Sequence, residues 1–262
     1  MIEITNINDS RIELYKSLRF TPKSHTEANV FVAEAEKVVL KMLESSIEPV
    51  SIFAVPEFYS KYPDLIELKK FPEDNLFTAN KEFMNEIVGF RIHSGIMAIG
   101  KIPSDTPIIE LDSKIVVLNG IIDAENVGAI VRNCAAFGFN SIIIDEKSSS
   151  PYLRRAVRVS MGNVFEIKVH HSRDIIVTIK ELKRNGSQIV VAEICDESIA
   201  LEKVSFSDKY CLIFGSEGNG IDPKIFDLCH QIVHIPISKN VPSINVAASS
   251  AVFLNHLTSK LS

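Results

Sequence analysis

The sequence contains no apolar run long enough to span a bilayer, and its first residues, MIEITNINDS, lack the basic-then-apolar pattern of a secretory signal. The expectation is a protein with no membrane association, in the cytoplasm. Its four cysteines, Cys134, Cys195, Cys211 and Cys229, show no paired short spacing. Free, buried thiols are therefore a better reading than disulfides. The closest approach to a metal-ligand cluster, Cys229, His230 and His234, is poorly spaced for tetrahedral zinc, so no metal is expected. Internal repeats and low-complexity tracts are also missing. So is an overall basic charge: 28 Lys and Arg against 33 Asp and Glu give a formal net charge of -5. Any nucleic-acid partner must then be gripped by local patches rather than by the whole molecule.

Two such patches exist. Between positions 11 and 25, Arg11, Lys16, Arg19 and Lys23 face only Glu13, and Ser148 to Gly162 carries Arg154, Arg155 and Arg158 with no acidic residue. As charge clusters alone they read better as ordinary solvated surface.

The 262 residues, 46% of them hydrophobic, are enough for one large domain or two ordinary ones. Residues 7–18 suggest a polar helix. FVAEAEKVVLKMLESS reads as a short strand turning into a helix, with Ala35, Val38, Val39 and Met42 at helical spacing, and VSIFAVP and GIMAIGKIP read as strands. This alternating α/β unit ends near residue 102, and the proline-flanked PSDTP marks a linker taken as 103–113. From 114 to 262 the pattern is more regular. KIVVLNGI, SIIIDE, NVFEIKVH, QIVVAEI, YCLIFG and QIVHIPI alternate with helical stretches. Near-continuous apolar strands separated by helices imply a mostly parallel sheet covered on both faces. Ligands in such sheets bind beyond the carboxyl ends of the strands.

Three loops stand at those ends. In NGIIDAENVGAIVRNCAAFGF (119–139), a helix opens near Asn126, Gly128 permits close approach and Gly138 suits the helix end. Arg132 lies inside that otherwise apolar helix, nearly two turns from Asn126, where both are read as addressing one ligand. In CLIFGSEGNGID (211–222), an apolar strand runs into Gly215, Gly218 and Gly220 around Glu217. The order G-x-x-G-x-G is not the dinucleotide fingerprint, which argues against a nucleotide-dependent oxidoreductase. In HIPISKNVPSINVAASSAVFLNHL (234–257), Ser243 and Asn245 are polar groups at a helix start. Taken singly, the three also read as a snorkelling arginine, a glycine turn and a cap.

Together, Asn126-x-Gly128-Ala129-Ile130-x-Arg132, Gly215-x-Glu217-Gly218-x-Gly220, and Ile235-Pro236 with Ser243-Ile244-Asn245-Val246 resemble the SpoU branch of the SPOUT methyltransferases, the TrmH-type RNA ribose methylases. FVAEAEKVV and HSGIMAIGKI resemble the small α/β substrate-binding domain that often precedes the catalytic one. The chain departs from the family pattern in DAEN for D-P-x-N, Ile244 for Leu, and EAE for E-G-E around Ala35.

The resemblance implies a C-terminal trefoil knot, a homodimer through the C-terminal domain, and S-adenosylmethionine as methyl donor to a ribose 2′-hydroxyl, with ribosomal RNA favoured over transfer RNA. It further implies that Arg132 polarises the hydroxyl and grips the neighbouring phosphate. Asn126 would orient Arg132 or the RNA, Glu217 would hold its loop, and Ser243 and Asn245 would position ribose and phosphate. Gly215, Gly220, Ile235 and Ile244 would contact the cofactor. Arg19, Lys23, Arg154, Arg155 and Arg158 are the expected RNA contacts. A non-catalytic RNA-binding protein on the same fold is the alternative, although the intact Arg132, Glu217 and Asn245 speak against it.

Overall fold

The computed structural model describes every residue except 17, 19–21, 65–70, 93, 217, 219 and 260–262. Arg19 and Glu217, both expected site residues, therefore lie outside the described residues. The strands are β1 (Ile2–Glu3), β2 (Val30–Glu34), β3 (Pro49–Ala54), β4 (Leu76–Thr78), β5 (Ile96–Lys101), β6 (Lys114–Asn119), β7 (Ser141–Ile144), β8 (Lys168–His171), β9 (Gln188–Ala192), β10 (Ile199–Ala200), β11 (Tyr210–Gly215) and β12 (Gln231–His234). The helices are α1 (Lys23–Glu27), α2 (Glu36–Glu44), α3 (Pro56–Lys61), α4 (Lys81–Val88), α5 (Ala124–Ala136), α6 (Arg154–Val159), α7 (Ile175–Arg184), α8 (Pro223–Phe226) and α9 (Val246–Ser259).

The chain forms two compact units. The first holds Met1–Pro103 and Tyr152–Phe165, the second Ser104–Pro151 and Glu166–Ser262. The sequence drew the second domain as an unbroken 114–262, but the segment around α6 packs with the first unit. Helical spacing marks α6 as a helix and says nothing about which core receives it.

In the first unit a five-stranded mixed sheet runs β1-β4-β3-β5-β2. The polar helix expected over 7–18 is a 3-10 turn, Ser10–Tyr15, whose buried Ile12 and Tyr15 sit three residues apart, the period of that helix. Pro56 stops β3 and opens α3 at its first position, where a missing N–H costs nothing. Strand β2 lies at the sheet edge, yet all five of its residues are buried. The returning segment covers it: Phe31 meets the rings of Tyr152 and Phe165 at 5.8 and 5.2 Å. Arg154 is ion-paired with Glu34 and lies 4.4 Å from the ring centre of Phe90. An edge strand buried this way cannot pair with another chain. Ala35, read as part of the helical pattern, instead stands before α2 with φ 83° and ψ 146°.

The second unit is a seven-stranded, all-parallel sheet in the order β10-β12-β9-β11-β6-β7-β8. Because the sheet is covered on both faces, alternate residues of one strand serve different cores. Ile115, Val117, Ile189, Val191, Cys211 and Ile213 pack with Ile175, Ile179 and Leu182 of α7 and Ile225 of α8. On the opposite face Phe214 meets Phe253 of α9 edge to face at 5.6 Å, and α9 packs along α5. NVFEIKVH begins its strand only at Lys168, its first residues forming a 3-10 turn, Asn163–Glu166. Gly138 ends α5 as expected: it is left-handed at φ 75°, and Phe139 N donates to Cys134 O at 2.9 Å. All four cysteines are free, but burial is not uniform: Cys134 and Cys211 are buried, Cys229 is half-buried and Cys195 is exposed. No helix among the described residues is long and apolar enough to cross a membrane.

Candidate active site

Parallel pairing in register brings the carboxyl ends of four neighbouring strands together. Gly215 of β11 pairs with Asn119 of β6, Phe214 with Ala192 of β9, and Val233 of β12 with Ala192. The loops after these strands are knitted by two residues that the motifs did not single out. Asn119, 3% exposed, donates from Nδ2 to Asp145 Oδ2 at 2.8 Å, and its Oδ1 accepts from Asp222 N at 2.8 Å. Asp145, equally buried, also accepts from Gly120 N at 3.0 Å, from Ser148 N at 2.8 Å and from the Ser148 hydroxyl at 2.5 Å. A buried carboxylate is tolerable when so fully satisfied. The pair ties the loop after β6 to those after β7 and β11. Its only sequence signal is a polar residue closing each of two apolar strands.

After β11 the chain folds back on itself. Ser216 N donates to Gly220 O at 3.2 Å and Gly220 N to Ser216 O at 2.9 Å, with Gly220 left-handed at φ 63°. A Cβ on Gly215 would stand 2.7 Å from the carbonyl carbon and oxygen of Gly220. Gly215 therefore lets the loop close on its own backbone, a tighter demand than the ligand approach that the glycine pattern suggests.

Two helix N-termini meet beside this loop. Helix α5 starts at Ala124, two residues earlier than expected, because Asp123 rather than Asn126 caps it, accepting from Glu125 N at 2.8 Å. Asn245 caps α9 through Oδ1, which accepts from Ala247 N at 2.9 Å, and its Nδ2 donates to Asn126 Oδ1 at 3.0 Å. Seven residues on, Asn133 bonds Ala247 O and Ser250 Oγ on the same face. Asn126 and Asn245 thus join the first and third motif loops. Their helices direct two positive N-terminal dipole ends at one spot.

A cavity of about 210 Å³ lies at the strand ends. Gly215, Gly220, Ile235 and Ile244, the four residues expected to touch a cofactor, all line it, together with Ser243 and an apolar floor of Phe214, Val233 and Phe253. A second hollow, also about 210 Å³, is lined by Gly120–Asp123, Asn126 and Gly218. Ser216 and Val246 line both.

The description "SpoU rRNA Methylase family" matches residues 113–255, more than half of the sequence and all three motif loops. The chain belongs to this family. Among curated relatives of this SpoU methylase, an uncharacterized tRNA/rRNA methyltransferase of Mycobacterium tuberculosis is 26% identical, covering 95% of this chain and 89% of that protein. The 23S rRNA (guanosine(2553)-2′-O)-methyltransferase of Bacillus subtilis is 21% identical, with 98% and 99% covered. Among solved structures, an AdoMet-bound rRNA methyltransferase from Sinorhizobium meliloti shares the fold with a TM-score of 0.87 at 19% identity, covering 100% of this chain and 98% of that one. The SpoU methyltransferase AviRb of Streptomyces viridochromogenes does so at 0.80 and 16%, with 97% and 98% covered. Membership sets aside the oxidoreductase alternative.

Arg132 of this SpoU methylase does not join Asn126. Six residues at 3.6 per turn leave the two side chains about 120° apart around α5. Arg132 is exposed, has no hydrogen-bond or ion-pair partner among the described residues, and lines neither cavity. The expected RNA contacts divide. Lys23 and Arg155 are exposed and Arg158 is half-buried, whereas Arg154 is engaged by Glu34 and Phe90. Of the first patch, Arg11 is paired with Asp9 at 2.5 Å and Lys16 with Glu13 at 2.7 Å, which neutralises much of it. Among the described residues no cluster of His, Cys, Asp or Glu is arranged to hold a metal ion.

Proposed function

We propose that this SpoU methylase transfers a methyl group from S-adenosylmethionine to a ribose 2′-hydroxyl in RNA, ribosomal RNA in particular. The observation that carries this reading is the pair of cavities sharing Ser216 and Val246: one is built by the residues expected to hold a cofactor, the other lies against Asn126 at two helix N-termini. The fit to the cofactor is chemical. Phe214, Val233 and Phe253 offer an apolar floor for a flat base, while Ser216, Ser243 and Ser249 line the same cavity with hydroxyls. Relatives described as an AdoMet-bound rRNA methyltransferase and as a 23S rRNA guanosine 2′-O-methyltransferase support the choice of donor and acceptor.

When bound, the cofactor supplies a methyl group on a positively charged sulfur, ready for in-line displacement. The protein's task is to place the hydroxyl opposite that sulfur and to ease the loss of its proton. Asn245 and Asn126, fixed to each other and to a helix cap, hold the acceptor side. The two helix N-termini favour a phosphate there. Arg132 supplies a fork that holds the phosphate and polarises the neighbouring oxygen. Ser243 positions the ribose. Asn119 and Asp145 act through the loops as positioning residues.

Arg132 lines neither cavity of its own chain, which favours a homodimer in which a second copy brings it to the site. Helix α9, VAASSAVFLNHLTS, has no acidic or basic residue apart from His256 and leaves Val252 43% exposed, a face suited to such pairing. The C-terminal trefoil knot that the resemblance implies belongs to the same reading. Residues 1–102, with Lys23, and the returning segment with Arg155 and Arg158 serve RNA capture; the unit of 104–151 and 166–262 is catalytic, and the cytoplasm is the site of action.

The test is transfer to RNA carrying a single 2′-deoxy substitution at the mapped nucleotide. No methyl should be accepted there, and the normal product should resist alkaline cleavage at that position. Undiminished transfer to the deoxy RNA would mean that a base is the target.

A further inference from the structure

The cavity assigned to the cofactor contains an acidic side chain that the mechanism does not use. Glu193 directly follows β9 and is half-buried. Its backbone is fixed by Glu193 N donating to Val233 O at 3.1 Å. One carboxylate oxygen, Oε1, accepts from Ile194 N at 3.0 Å. The other, Oε2, lies 3.1 Å from the point where a Cβ would stand on Gly220. Among the described residues Glu193 is the only Asp or Glu lining this cavity, and no Lys, Arg or His is ion-paired with it. A carboxylate partly withdrawn from water and without a cation is costly unless a ligand brings donors to it.

S-adenosylmethionine brings donors at two places, the ribose diol and the α-ammonium. The order of groups along that molecule separates them. Its base belongs on the apolar floor, and the ribose is bonded directly to the base. Its sulfur must face the junction of the two cavities at Ser216 and Val246. The α-ammonium lies beyond the sulfur. Glu193 lines only the first cavity, beside the floor residue Phe214, whose strand partner Ala192 immediately precedes it.

We propose that Glu193 is a specificity-determining residue that accepts hydrogen bonds from the ribose hydroxyls of the cofactor, a proposal that rests on the methyltransferase reading above. A carboxylate matches a vicinal diol with two charge-assisted bonds. Gly220 is the neighbour that leaves room for this, since a side chain there would crowd Oε2.

The experiment is calorimetric titration of the full-length protein with S-adenosylhomocysteine, with 5′-methylthioadenosine, which keeps the ribose but lacks the amino-acid end, and with a 3′-deoxy analogue of the former. The wild type should bind the deoxy analogue about tenfold or more weaker than the parent, the loss of one hydrogen bond to a charged group. Glu193→Gln should weaken S-adenosylhomocysteine and methylthioadenosine alike, again by about tenfold, and should discriminate little against the deoxy analogue. If Glu193→Gln weakens only S-adenosylhomocysteine, the carboxylate serves the ammonium and the proposal falls. It falls equally if the wild type binds parent and deoxy analogue with one affinity, a comparison that needs no variant to fold. Wild-type protein that binds none of the three would sink the methyltransferase reading itself, and this proposal with it.

Discussion

Replacing Ala35 by glycine should stabilise the protein. Ala35 holds φ 83° and ψ 146°, in a region that residues with a Cβ rarely enter. Holding a non-glycine residue there costs about 1–3 kcal/mol. Glycine removes that strain but adds freedom to the unfolded chain worth about 0.4–1 kcal/mol. The net gain is about 1 kcal/mol, which raises the melting temperature by about 2–4 °C for a chain of this size. Two residues earlier, Ala33 sits fully buried in β2 with no positive φ. Ala33→Gly should therefore move stability the other way, by about 1–2 kcal/mol, from a lost buried methyl and a loosened strand. Urea and thermal melts followed by circular dichroism would compare the two. If Ala35→Gly destabilises as Ala33→Gly does, the backbone at position 35 is not strained and the reasoning is refuted.

Three further outcomes follow from the site and the core. Gly215→Ala should abolish the rise in melting temperature that millimolar S-adenosylhomocysteine gives the wild type, because its Cβ would displace Gly220 from 2.7 Å away; an unchanged shift would mean the loop does not shape the cavity. Arg132→Lys should lose most of the turnover while keeping cofactor affinity, since an ammonium cannot reproduce the fork; equal losses in both would point to a folding defect. His25 is 4% exposed, with Nε2 2.7 Å from Leu14 O, and burial holds its pKa below the usual 6.5. The folded state thus resists protonation, so stability present above pH 6.5 should fall as the pH drops below it, and His25→Asn should make that acid slope shallower in urea melts at stepped pH.

Much of the second unit was legible because buried parallel strands are written as plain apolar runs and their loops carry glycines and caps in order. The cavity residues Gly215, Gly220, Ile235 and Ile244 came instead from the resemblance of the motif loops to a known family. What periodicity cannot convey is partnership. The helix around Arg154 was readable, but not that β2 would receive it, nor that Glu34 would pair with the arginine. Asn119 and Asp145 look like ordinary strand ends until their loops are folded together. The placement of Arg132 follows from the 100° step of a helix, an angle that proximity along the sequence conceals. Glycine carries two meanings in one letter: Gly215 is required by a backbone 2.7 Å away, while a Cβ on Gly218 would have nothing within 4 Å.

The return of residues 152–165 to the first unit also sets a timetable for synthesis. The amino-terminal unit cannot be finished when Pro103 leaves the ribosome, since the cover of β2 is still unmade. At roughly 5–20 residues per second, the wait until Phe165 lasts roughly 3–12 s. During that interval Phe31 and the open edge of β2 are exposed to whatever else is nearby, including neighbouring nascent copies. Rare codons placed between positions 103 and 165 would lengthen the interval, and slowed synthesis there should lower the soluble yield more than the same delay placed after 165.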